Sequence, residues 1–193
     1  MSLPVTFYAL TPAQARAYTT AFEASMKSSA PKPLAPGAAD DDWGEVLDPK
    51  SATSTEDILE EVHQPLQLDW QAFGLSYLLC CAAGFPYEMA SLVPELFGDE
   101  LGQGINPDGS THCQALLAPA RVSAAHAFIC RFGAEGLRAH FDPIEMRVQC
   151  VHPMNEWAQP DTLDSLLAAR DRVEAFYARA LREGAWTVVA IAI

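Results

Sequence analysis

The side chains that could do chemistry are spread along the chain rather than grouped. The histidines are His63, His112, His126, His140 and His152, and the cysteines are Cys80, Cys81, Cys113, Cys130 and Cys150. None of them pairs at the spacing expected of a zinc site. His112 and Cys113 are adjacent, which in a strand would send them to opposite faces. No metal is therefore expected. A Cys–His nucleophile pair has no spacing to select it, and reduced, buried thiols are the simpler expectation for five cysteines without a regular framework. Gly98, Gly102 and Gly104 have a superficial glycine-loop look but lack the lysine and following helix of a phosphate loop. Neither a G-x-S-x-G elbow nor an H-E-x-x-H helix is present. Accordingly no catalytic residue and no cofactor are expected. If a pocket is assembled from separated residues, its first candidates are Asp69, Tyr77, Arg121, Glu145 and His152. Asp69 is explained more simply as a helix N-cap, and Glu145 belongs to the helix start announced by Asp142 and Pro143.

Charge is more informative than any motif. The 193 residues carry 25 Asp plus Glu against 12 Lys plus Arg, a formal net charge of −13. Such a chain repels nucleic acid and anionic membrane, so neither is expected as a partner. Between Asp40 and Glu61 there are nine acids and one base, Lys50. Pro and Gly punctuation across residues 27–62 predicts an irregular acidic insertion, with a short helix from Thr55 to Val62 capped by Thr55. If this surface docks a protein, Asp40, Asp41, Asp42, Trp43, Glu45, Glu60 and Glu61 are the expected contacts, with Trp43 as anchor and the acids as steering rim. Trp157, in polar surroundings, is expected as a second exposed anchor or a homodimer contact. The first residues lack a basic segment followed by a long apolar one, and no run reaches the length of a membrane span, so a cytoplasmic protein is expected.

The elements that must position these groups follow from periodicity. Val5 to Leu10 reads as a strand, and Thr11 and Pro12 open a helix with Ala15, Tyr18, Ala21, Phe22 and Met26 on its buried side. Trp70 leads into a strongly apolar helix ended by Gly84 and Pro86. Leu92 to Gly102 suggests a strand or turn, residues 102–109 a flexible loop, and His112 to Leu117 a strand. Helices are predicted from Ser123, over Ala134 to His140, and from Asp142 to Met146. Asp161 caps a long amphipathic helix bearing Leu163, Leu166, Leu167, Val173, Phe176, Tyr177, Ala180 and Leu181, stopped by Gly184. The run from Trp186 to Ile193 is apolar on both faces and belongs in the middle of a sheet. The sum is one α+β domain over residues 1–193, with a small, mostly antiparallel sheet holding both the first and the last strand.

Three stretches resemble the YfbM-like bacterial family of unknown function. They are Leu68-Asp69-Trp70 through Leu75-Ser76-Tyr77-Leu78-Leu79, then Leu96 to Gly102 with Leu117 to Val122, and Leu137 to Met146 with Val151-His152-Pro153. Phe176, Tyr177, Ala180, Gly184 and the closing strand also fit. Ser76 stands where the family often has His, and the acidic insertion is unusual for it. The resemblance implies an α+β domain and brings no catalytic residue or cofactor. Together with the acidity, it leads to the expectation of a non-enzymatic protein-binding protein, in its most concrete form an immunity-type protein neutralising a basic interbacterial toxin domain.

Overall fold

The computed structural model describes residues 4–28, 54–87, 92–98, 102–105, 111–155 and 157–192. Five strands form one sheet in the order β2-β1-β5-β4-β3, comprising β1 (Val5–Leu10), β2 (Leu66–Leu68), β3 (Gly102–Ile105), β4 (Thr111–Leu117) and β5 (Trp186–Ala192). All four pairings are antiparallel. The α+β class and the central place of the last strand both agree with the sequence. Two expectations are corrected. The segment taken as a flexible loop contains β3, whose glycines pair with β4. The segment taken as a strand or turn contains a single helical turn, α4 (Pro94–Phe97), because Pro94 sits at the helix start where its missing N–H costs nothing.

Alternation divides the sheet into two faces. On the first, Val5 and Phe7 of β1, Val189 and Ile191 of β5, and Cys113 and Leu117 of β4 join one large core. It is completed by α3 (Gln71–Ala83), α5 (Pro119–Cys130), α6 (Ala134–Arg138), α7 (Pro143–Val148) and α8 (Thr162–Glu183). Phe7 is its hub, with ring centroids 5.4 Å from Phe97, 5.6 Å from Phe176 and 6.0 Å from Tyr177. The Tyr177 hydroxyl donates to the carbonyl of Leu96 and so ties α8 to α4. On the second face a smaller core gathers Leu10, Val188, Ala15, Tyr18, Ile58, Leu59 and Val62 beneath α1 (Pro12–Ser28) and α2 (Thr55–Glu60).

Helix α8 buries Leu166, Leu167, Val173, Phe176, Tyr177 and Ala180 as its spacing requires, but Leu181 is exposed. Gly84 and Gly184 end α3 and α8 with φ of 74° and 60°, the left-handed conformation that glycine adopts without strain. Helix α5 begins at Pro119, one turn before the expected Ser123, again through a proline at the start.

Aromatic rings pack along α3. Trp70, Phe73 and Tyr77 meet Trp157, His152 and Tyr87 edge-on at 5.6, 5.4 and 5.3 Å. Trp157 is fully buried in its own chain and donates from Nε1 to the carbonyl of Val151 at 2.9 Å. This corrects the expectation of an exposed anchor there: the polar neighbours mark a loop, but the indole finds its partner inside. The ring fits because Gly74 has no side chain, since a Cβ at that position would lie 2.6 Å from Trp157 and 2.8 Å from Leu166. Ser76, where the family often has His, is also fully buried. It donates to the carbonyl of Ala72 at 2.8 Å and accepts from the Val93 N–H at 3.3 Å. A small residue at each of these positions lets α3 approach its neighbours closely.

Gly74→Ala is therefore expected to lower stability by about 1–3 kcal/mol through overpacking, although alanine is the better helix former by about 1 kcal/mol. Urea unfolding of the two proteins measures this. A midpoint that stays put or rises would show that Trp157 does not need the space.

Candidate functional site

The second face of the sheet is covered only in part. Between α2 and the strands lies an open groove of about 570 Å³, lined by Thr6, Tyr8, Gln114, Ala190, Glu56, Leu59 and Glu60 among others. Its floor follows from register: Thr6 pairs with Ala190, and Ala190 with Gln114, so the three form one cross-strand row. Thr6 and Ala190 are short and half-buried, while Tyr18 of α1 covers the Gln114 end of the row, which leaves the Thr6–Ala190 part open to the groove.

The wall is α2. Ser54 caps this helix, its hydroxyl accepting from the Asp57 N–H at 3.1 Å while the Asp57 carboxylate accepts from the Ser54 N–H at 2.9 Å. The cap is thus one residue earlier than the expected Thr55, which is buried instead. These bonds hold the Asp57 carboxyl below the usual carboxylate range. With Ile58 and Leu59 turned into the core, Glu56 and Glu60 are left on the exposed side. Beneath the groove the Tyr18 hydroxyl donates to Gln114 Oε1. Burial, and next the negative charge of Glu56, push the Tyr18 phenol up, so the field of α2 reaches this interior contact. Burial likewise raises Tyr8, against a smaller opposing effect of its hydrogen bond with Thr6.

Of the expected partner contacts, Asp40, Asp41, Asp42, Trp43 and Glu45 lie outside the described residues. Glu60 lines the groove, and Glu61 is exposed at the C-cap of α2. Glu56, absent from the expected set, lines the groove beside Glu60. Their four-residue spacing on a helix was the available signal.

The alternative pocket residues fare differently. Tyr77 is 4% exposed, and burial, its hydrogen bond with Cys81, and the charges of Cys81, Glu145 and Asp142 all raise its phenol. Tyr77 and Glu145 are thus electrostatic neighbours, but the phenol is held protonated within the core and does not line an open cleft. His152 packs on Phe73, one turn earlier on α3. Asp69 is exposed and accepts from Gln67 Nε2 at 3.3 Å. It does not cap α3, whose N-cap is Trp70 without a side-chain bond. Eight residues separate it from Tyr77, about 12 Å along a helix. Arg121 is exposed on the first turn of α5.

Among the described residues, one group has donors suited to a metal ion: His126 and Cys130 on α5 with Glu174 on α8. The two α5 residues are four apart, the spacing that places side chains on one helical face. That spacing is readable from the sequence, but it is a single His–Cys pair rather than the two ligand pairs of a zinc finger. All five cysteines are free, and Cys130 is exposed rather than buried.

A family model described as "Domain of unknown function (DUF1877)" matches residues 1–190. The chain belongs to this DUF1877 family. Among solved structures it is similar to the protein of unknown function YfbM from Escherichia coli. That likeness has 15% identity and a TM-score of 0.60, and covers 100% of both chains. At this identity it shows the shared fold alone, in keeping with the YfbM-like resemblance of the motifs. A comparison with curated proteins found no match. Among the described residues no helix of this DUF1877 protein is long and apolar enough to cross a membrane.

Burial also raises Tyr177, so four of the five tyrosines carry phenols above the ordinary value. A raised folded-state pKa contributes stability below the unfolded value of about 10 and loses it as pH rises beyond that point. Spectrophotometric titration at pH 11 is expected to find fewer than half of the phenols ionised in the folded protein and nearly all in urea, with stability falling from pH 9 to pH 11. Equal ionisation in the two states would contradict these environments.

Proposed function

We propose that this protein binds a basic protein partner through the groove between α2 and the second sheet face, as an immunity-type protein that neutralises an interbacterial toxin domain. The observation that carries the reading is the groove itself, with a floor made by the short side chains of Thr6 and Ala190 beside Gln114, and a wall bearing Glu56 and Glu60. A cationic side chain entering it would meet two exposed carboxylates four residues apart on one helical face, each giving a modest, salt-screened attraction. Net charge of −13 would speed encounter with a basic partner and disfavour acidic ones. Asp40, Asp41, Asp42, Trp43 and Glu45, which precede α2 in the sequence, and Glu61 at its C-cap are proposed as further contacts.

The test uses the polypeptides encoded by neighbouring genes, titrated calorimetrically against the wild-type protein and the Glu56→Lys, Glu60→Lys double variant. One basic polypeptide is expected to bind, more weakly as salt rises. The double variant is expected to bind it at least tenfold more weakly and to fail to restore growth when the two are co-expressed. Equal affinity of variant and wild type, or no binding by any neighbouring product, would contradict the proposal.

A further inference from the structure

We propose that His126, Cys130 and Glu174 form a binding site for a divalent transition metal of the zinc class, clipping α5 to α8 on the face of the sheet opposite the groove. The donors are one imidazole, one thiol and one carboxylate, the mixture that zinc accepts. Cys130 Sγ lies 3.6 Å from His126 Nε2 and 3.7 Å from Glu174 Oε1, and all three donor atoms fall within 4.8 Å of one another. Tetrahedral zinc, with Zn–S of about 2.3 Å and Zn–N or Zn–O of about 2.0 Å, places neighbouring donor atoms about 3.5 Å apart. The two edges from Cys130 Sγ, 3.6 and 3.7 Å, are close to that length. An ion at the centre requires only side-chain adjustment.

The surroundings prepare the carboxylate for this task. Arg170, with its side chain only 12% exposed, pairs through Nη1 with Glu174 Oε2, leaving Oε1 turned toward the thiol. Arg170 is itself fixed on the end of α5, donating from Nε to the carbonyl of Phe132 at 3.1 Å and from Nη2 to that of Ile129 at 3.2 Å. A ligating carboxylate whose second oxygen is held by a hydrogen-bonded partner is the usual outer arrangement of a metal site. The same geometry argues against a nucleophilic thiol. Burial and the adjacent Glu174 carboxylate push the Cys130 thiol up, with Arg170 opposing them more weakly, so without a cation the sulfur keeps its proton and donates it to Glu174.

On metal binding the S–H bond breaks, the sulfur lone pair goes to the ion and the proton leaves to buffer. His126 Nε2 and Glu174 Oε1 each replace a water on the ion, and no oxidation state changes. Three protein donors leave the remaining position to water. His126 and Glu174 are half-buried and Cys130 is exposed, so an ion has access.

The experiment titrates chelator-treated protein with Zn(II) by calorimetry and with Co(II) by absorption. The wild type is expected to bind one equivalent of Zn(II), to melt at a higher temperature with it, and to give with Co(II) a thiolate-to-metal charge-transfer band and tetrahedral d–d absorption. Cys130→Ser is expected to abolish the charge-transfer band. It and His126→Gln should each weaken Zn(II) binding at least tenfold, and Glu174→Gln should weaken it as well, with far-ultraviolet circular dichroism unchanged. Absence of a stoichiometric site in the wild type would overturn the proposal whatever the variants do. So would a charge-transfer band that persists in Cys130→Ser, since it would place the metal on another cysteine.

Discussion

The organisation of this protein depends on one constraint: β5 is apolar on both faces and lies in the middle of its sheet, so both faces must be covered. Thr187, Val189 and Ile191 meet a thick layer of helices, with Phe7 and Tyr177 locking strand, helix and turn together. Trp186 and Val188 meet the thinner layer of α1 and α2. Ala190 is the exception. It sits in the cross-strand row with Thr6 and Gln114, where Tyr18 covers Gln114 but the second layer thins over Thr6 and Ala190. A sheet that demands cover on both faces and has only part of it along one row leaves a groove there.

The two layers also differ in how their helices are held. On the thick side, contacts are made by shape: Gly74 admits the Trp157 ring, and Ser76 joins α3 to Val93. The Trp157 indole finds its partner close by at Val151, whereas the Tyr177 hydroxyl reaches Leu96 far along the chain. At the outer edge of that layer, Arg170 bridges α8 to the last carbonyls of α5 and orients Glu174 toward Cys130. On the thin side, α2 is only six residues long and depends on its capping box and on Ile58 and Leu59. Its remaining surface is acidic, so the element that completes the second core is also the one that charges the groove.

The frame was readable from the sequence wherever period and punctuation agreed. The apolar run of β5, the stripe of α8 and the glycines at 84 and 184 each gave a local signal that packing reinforced. Errors arose where a residue's partner was distant in the chain. Nothing near Trp157 announces Gly74, more than eighty residues earlier, as the position that makes room for it. The glycines of β3 read as loop because their strand character comes from pairing with β4, not from their own propensity. Pro94 argues against a helix from sequence but serves as a helix start, and Pro119 starts α5 one turn before the expected Ser123. At the groove Glu60 was legible in the sequence, but Glu56 and the floor were not: Thr6, Gln114 and Ala190 come from three strands. The His126–Cys130 spacing was visible on one helix, whereas Glu174, which completes the group, comes from another.

The most direct test of the account is hydrogen–deuterium exchange of this protein alone and saturated with a basic partner. The account requires new protection at α2 and at β1, β5 and β4 around Thr6, Ala190 and Gln114, with α5 and α8 exchanging as before. Protection confined to α5, α8 or the α3 edge, with the groove unchanged, would contradict the claim that the groove beside α2 is where this protein binds.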